Sequence, residues 1–202
     1  MLQQEQPSPA WSLQTDGVER FAFYDNIFTP EECAKIVDIG KSRPMYTGKI
    51  NYNGMQIQNP EIRDSNIVFL SPGSDTDWIY RRLTDVILHL NENYFKFDLW
   101  GFNEHIQFTE YTSPGGKYDS HVDRSYNGVV RKLSIVLQLT DETTYEGGNF
   151  EIIDGPIDTP TVLSRKQGTL LAFPSYTLHR VTPVTEGVRN SLVGWISGPQ
   201  FK

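Results

Sequence analysis

The chain has 202 residues, 38% of them hydrophobic and 12% aromatic, which is enough for one sizeable core. Its formal net charge of −7 argues against a nucleic-acid partner, which needs a basic surface to neutralise phosphates. No apolar run approaches the roughly 18 residues of a membrane span, and a single cysteine, Cys33, excludes an intramolecular disulfide and a cysteine metal cluster.

Residues 1–16 are polar and rich in Gln and Pro, and lack the basic start and apolar block of a signal peptide. They read as a loosely ordered tail, and 17–202 read as one domain. With one cysteine and no secretion signal, a reducing, cytoplasmic setting is expected. Phe21 to Tyr24 reads as a strand. A helix follows, with Thr29 as N-cap, Pro30 at its first position, Glu32 closing a capping box and Phe28 placed to staple against Cys33. Gly40 is expected to stop it.

Residues 46–60 are rich in Gly, Asn and Gln and have no repeating apolar face, which predicts a mobile lid over the functional site, the alternative being an exposed hairpin with no role. Ile67 to Leu70 reads as a short buried strand. Ile79, Leu83, Val86, Ile87 and Leu90 mark one buried face of a second helix, from about Asp77 to Asn93.

Beyond residue 100 helical periodicity ends, and short strand-like runs take over at 104–111, 132–139, 149–153, 161–164, 168–173, 178–182 and 191–196. In 132–139 the residues Leu133, Ile135, Leu137 and Leu139 share one face and Ser134 and Gln138 the other. Helices first and many short strands later predict an α+β domain, its helices packed outside a sandwich or barrel.

The chemistry concentrates in His121-Val122-Asp123, His179 and Arg189. Residues i and i+2 point to one side of a strand, so His121 and Asp123 can reach one metal from a strand end. Two imidazoles and a carboxylate form the facial triad that leaves three positions of an Fe(II) open, as O2 chemistry requires. Arg189 is a permanently charged fork suited to a carboxylate. His89 and His105 have no ligand spacing to a partner, and Gly147-Gly148 reads as turn chemistry.

The order Glu104…Gln107…Tyr111…Gly116-Lys117-Tyr118…His121-Val122-Asp123…Arg131…Tyr145-Glu146-Gly147-Gly148…His179…Arg189…Trp195 resembles the Fe(II)/2-oxoglutarate-dependent dioxygenases. Within them it is similar to the prolyl 4-hydroxylase-like branch, which includes small bacterial and phage-encoded hydroxylases. The resemblance implies a double-stranded β-helix, or jelly roll, supported by N-terminal helices. It implies that His121, Asp123 and His179 bind iron and that Arg189 holds the C5 carboxylate of 2-oxoglutarate. Tyr111 and Trp195 would line the co-substrate pocket. Glu104, Tyr118, Arg131, Arg63 and Ser65 would contact a peptide.

It further implies Fe(II), 2-oxoglutarate and O2 as the reacting set, with ascorbate as reductant, and hydroxylation of prolyl residues in a peptide or protein with release of succinate and CO2. A small molecule such as a free amino acid, or a non-catalytic jelly-roll binding module, are the alternatives. The chain departs from the family pattern at two positions. Gln138 stands where a tyrosine often assists 2-oxoglutarate and is expected to bind it through a hydrogen bond, and Ser197 stands where some peptide hydroxylases have histidine. Glu104 and Tyr111 are seven apart, so both can line one cleft only if a bulge or bend intervenes.

Overall fold

The computed structural model describes residues 17–123 and 128–201; the expected N-terminal tail falls outside them. Strand β1 (Ala22–Tyr24) precedes helix α1 (Pro30–Lys41). Then come β2 (Tyr46–Thr47), β3 (Ile50–Tyr52), β4 (Met55–Ile57), β5 (Arg63–Asp64) and β6 (Asn66–Leu70). Helix α2 (Asp77–Leu90) ends in a π-helical turn, Asn91–Phe95, and β7 (Gly101–Phe102) and β8 (Ile106–Thr112) follow. The rest is all strand: β9 (Lys117–His121), β10 (Arg131–Gln138), β11 (Glu146–Gly147), β12 (Phe150–Ile152), β13 (Thr161–Val162), β14 (Leu170–Pro174), β15 (His179–Val181), β16 (Val184–Glu186) and β17 (Val188–Ser197).

The major sheet runs β1-β14-β10-β17-β8-β6-β2, with β7 also on β17, and the minor sheet runs β13-β12-β15-β9-β5. Every pairing is antiparallel. This is the expected jelly-roll core with supporting helices. Because side chains alternate along a strand, each strand of the major sheet serves two layers. Leu133, Ile135 and Leu137 of β10 pack with Ile79, Leu83, Ile87 and Leu90 of α2 and with Cys33 and Ile36 of α1. Val136 of β10 turns the other way, into a second cluster with Phe150 and Ile152 of β12 and Val181 of β15. The central strands β10, β14 and β17 are therefore buried on both faces, and the site opens between the sheets.

The capping box on α1 forms as read. Thr29 Oγ1 accepts from the Glu32 backbone at 3.3 Å, and Glu32 Oε2 accepts from the Thr29 backbone at 2.9 Å. Gly40 does not end the helix, which continues to Lys41. A Cβ there would lie 2.5 Å from the Phe108 ring, so glycine lets α1 press against β8. The segment 46–60 is not a structureless loop. It contains the β3–β4 hairpin, turning at Asn53 (φ +50°) and Gly54 (φ +80°). Asn-Gly is the strongest short hairpin signal, because both central residues of such a turn need positive φ. The parity conflict between Glu104 and Tyr111 disappears, because β8 starts at Ile106 and Glu104 lies in the bend before it. His105 also precedes the strand and bonds Ser71 Oγ through Nδ1 at 3.1 Å.

Candidate metal and co-substrate site

Cross-strand register assembles the site. His121 ends β9 directly opposite His179, which begins β15. Asp123 sits two residues past the end of β9. The three side chains offer ligand atoms all within 4.8 Å of one another. Each histidine Nε2 stands 3.7 Å from a different Asp123 oxygen, too far for a hydrogen bond. His121 Nδ1 donates to the Asp119 carbonyl at 2.7 Å and His179 Nδ1 to the Thr177 carbonyl at 2.9 Å. A carbonyl can only accept, so each Nδ1 carries the proton and each Nε2 turns its lone pair toward the carboxylate. That is the orientation that backbone carbonyls impose on ligating histidines.

Electrostatics favour the ligand protonation states of His121 and Asp123. Burial and the neighbouring His179 drive the His121 imidazole well below its usual pKa, toward the neutral form. Burial alone would raise the Asp123 carboxyl, but His179, His121 and Arg131 outweigh it and hold it below the usual range. Neutral imidazoles and an ionised carboxylate are what a divalent metal binds. The set fits one first-row dication with an open face.

Arg189 lies on the inner face of β17, opposite Tyr111 of β8. It is 1% exposed, and its Nε and Nη1 have no protein partner. A buried guanidinium without a counter-charge is costly, so this cradle fits a carboxylate that supplies the charge and accepts from the free nitrogens. Gly148 makes room for it, since a Cβ there would lie 3.1 Å from Arg189 Cδ; the Gly147-Gly148 turn thus also permits this close approach. Strand alternation puts Ser191, Val193 and Trp195 on the same face, and all line one cavity of about 980 Å³ with the three candidate ligands. Tyr111 lines it too, and burial raises its phenol pKa.

Four of the residues read as direct contacts have other partners. Gln138 does not line the cavity. Its Oε1 accepts from Arg189 Nη2 at 2.9 Å and its Nε2 donates to the Ser164 carbonyl at 3.0 Å. It orients Arg189, because an arginine can only donate and a carbonyl only accept. Glu104 and Arg131 both reach the cavity but bind each other, through Nε at 2.6 Å and Nη2 at 2.5 Å. Arg131 also lies 4.0 Å over the Trp195 ring. Ser65 is buried behind Arg63 and accepts from its Nε at 3.0 Å. Ser197 Oγ donates to the Gly101 carbonyl, so it anchors the β7 region. Arg63 and Tyr118 do line the cavity, with the guanidinium 4.6 Å over the phenol ring. Tyr118 in turn stacks on His121 at 3.5 Å, and burial pushes its phenol up to about 12.

The segment expected to cover the site does reach it: Lys49, Asn51 and Gln56 line the cavity, on or beside a hairpin whose signal was Asn53-Gly54 between Ile50 and Ile57.

Residues 106–197 match the 2OG-Fe(II) oxygenase superfamily. That segment is similar to a 2OG-Fe(II) oxygenase barrel. It carries all four of His121, Asp123, His179 and Arg189. The chain is 48% identical over 86 residues to a PKHD-type hydroxylase of Synechococcus sp. (strain CC9311), covering 42% of this chain and 38% of that protein. It is 32% identical over 131 residues to a PKHD-type hydroxylase of Synechococcus elongatus, covering 61% and 57%. The chain thus spans less than two thirds of the length of these curated relatives.

Among solved structures, a Pseudomonas putida prolyl-4-hydroxylase aligns with a TM-score of 0.67 at 19% identity, over 90% of this chain and 94% of that one. A Trichoplax adhaerens prolyl hydroxylase, in complex with a hypoxia inducible factor peptide fragment, aligns with a TM-score of 0.71 at 16% identity, over 88% and 83%. These likenesses establish the shared fold. The superfamily implies Fe(II), 2-oxoglutarate and O2. Among the described residues no helix is long and apolar enough to cross a membrane.

Proposed function

We propose that this protein is an Fe(II)- and 2-oxoglutarate-dependent dioxygenase that hydroxylates prolyl residues in a peptide or protein. The observation that carries this reading is the convergence of His121, Asp123 and His179 beside Arg189, a buried guanidinium with two unpartnered nitrogens. When bound, iron and 2-oxoglutarate supply the oxygen activation that places one oxygen atom of O2 into a substrate C–H bond and the other into succinate, with release of CO2.

The chain's own residues do the rest. His121, Asp123 and His179 hold the metal on one face. Asp119 and Thr177 carbonyls fix the two rings. Arg189, held by Gln138, takes the far carboxylate of the co-substrate. Tyr111 and Val193 wall the pocket and exclude water, which limits side reactions. A peptide substrate is supported by the size and openness of the cavity and by its amide-bearing hairpin, since Asn51 and Gln56 can pair with main-chain amides. The intact ligand set weighs against a non-catalytic binding module.

The test is incubation with Fe(II), ascorbate, 2-oxoglutarate and a proline-containing peptide library, read by mass spectrometry and by succinate release. A gain of one oxygen on proline is expected. His121→Ala should abolish it while leaving the thermal unfolding midpoint within a few degrees. Absence of any O2-dependent succinate release would remove the dioxygenase reading. Release without a modified proline would remove the prolyl substrate alone.

A further inference from the structure

Three arginines line the cavity: Arg63, Arg131 and Arg189. Arg131 is neutralised by Glu104. Arg189 is assigned above to the co-substrate. Arg63 is 7% exposed, and among the described residues no carboxylate forms an ion pair with it. A guanidinium this buried is costly without a counter-charge.

The surroundings of Arg63 are built to aim it. Its Nε donates to Ser65 Oγ at 3.0 Å and its Nη1 to the Lys49 carbonyl at 3.0 Å. Its plane packs over the Tyr118 ring, whose other neighbour is the candidate ligand His121. Beneath it lies Gly48, where a Cβ would come 2.4 Å from Arg63 Nε and 2.7 Å from Ser65 Oγ. Gly48 is itself pinned by its N–H donating to the Ser65 carbonyl at 2.8 Å. Four partners thus orient a side chain whose Nη2 is left over at the cavity. Lys49 also lines the cavity, and its ammonium forms no ion pair among the described residues. A second cationic wall in a chain of net charge −7 calls for an anion there.

We propose that Arg63, seated on Gly48 and Ser65 and assisted by Lys49, receives a carboxylate carried by the prime substrate. The inference rests on the dioxygenase reading and narrows its substrate class. The carboxylate has three chemical sources: the α-carboxylate of a free amino acid, an acidic side chain beside the modified residue of a peptide, or a peptide C-terminus. A carboxylate gives Nη2 both an acceptor and the missing counter-charge, whereas an uncharged amide gives only the acceptor.

The experiment compares matched probes on the Fe(II)-loaded wild-type protein with 2-oxoglutarate under nitrogen, by calorimetry. The pairs are L-proline against L-prolinamide, an amidated Asp-Pro peptide against its Asn-Pro counterpart, and one proline peptide with a free against an amidated C-terminus. At least one acid should bind roughly 10- to 150-fold tighter than its amide, the scale of one charge-assisted hydrogen-bond pair. The pair that discriminates identifies the source. Arg63→Gln should erase that preference and leave 2-oxoglutarate affinity unchanged. Equal binding within every pair, or no binding of any acid, overturns the proposal whether or not Arg63→Gln folds. Because binding is read without turnover, the proposal stands or falls separately from O2-dependent succinate release, which tests the dioxygenase reading.

Discussion

Arg131 Nη1 donates to the backbone carbonyl of Asp123 at 3.1 Å, so the candidate metal carboxylate is tied to the major sheet through its own main chain. Arg131 is in turn clamped by Glu104 from the bend before β8 and covered by Trp195 of β17. Asp123 lies past the end of β9, with no strand partner of its own, so this bond limits where its carboxylate can stand.

The consequence is measurable as metal affinity. Arg131→Gln and Glu104→Gln are expected to weaken Co(II) binding, followed by its visible absorption, by roughly 10- to 100-fold, the usual cost of disturbing residues that support metal ligands. Arg131→Lys should recover only part, because an ammonium cannot bridge Glu104 and the Asp123 carbonyl at once. Unchanged metal affinity with a raised KM for prime substrate would make the pair a substrate contact instead.

Arg189→Ala should raise the KM for 2-oxoglutarate sharply. Loss of a charge-assisted pair costs about 1.5–3 kcal/mol, or roughly 10- to 150-fold. Arg189→Lys should be milder. Gln138→Leu should raise the same constant by a smaller factor, because it frees Arg189 Nη2 without removing the charge. A Gln138→Leu enzyme with wild-type 2-oxoglutarate dependence would show that Arg189 needs no such support.

Replacing 51–56 by a short Gly-Ser turn removes the cavity-facing amides while keeping Gly48 and Lys49 under Arg63. Peptide hydroxylation should fall strongly, and succinate release without peptide should persist. If hydroxylation survives intact, the hairpin is no cover for a bound peptide.

Gly40→Ala should destabilise the fold despite alanine's better helix propensity. The added methyl meets three ring atoms of fully buried Phe108 at 2.5–2.7 Å. Overpacking of this kind costs about 1–3 kcal/mol, against a gain of about 1 kcal/mol from propensity. A lowered thermal midpoint is expected, with a rise only if α1 can shift outward freely.

Cys33 should be unreactive in the native protein. Burial pushes its thiol up to about 11, so it stays protonated from pH 7 to 9, where a free thiol ionises. Labelling by a thiolate-seeking reagent should be slow in that range and become fast on unfolding. Rapid native labelling at pH 8 would mean that α1 opens locally.

What the sequence determined by itself was whatever depends on local order. The α1 cap, the apolar stripe of α2 and the alternation in β10 follow from spacing along the chain, because helix and strand periods place those side chains. The spacing of His121 and Asp123 carried the chemistry for the same reason, while the later His179 and Arg189 contributed by residue type and order alone. β9 itself was not legible as a strand, since Lys117, Tyr118, Asp119, Ser120 and His121 show no apolar alternation where they face the site. Only the tertiary structure decided which polar groups meet. Glu104 and Arg131 are 27 residues apart and Gln138 and Arg189 are 51 apart, and each pair is made by folding rather than by spacing. Residues that read as ligand contacts thus became supports for other residues, because a buried polar group takes its nearest complementary partner, and distant segments become neighbours only once both sheets have formed.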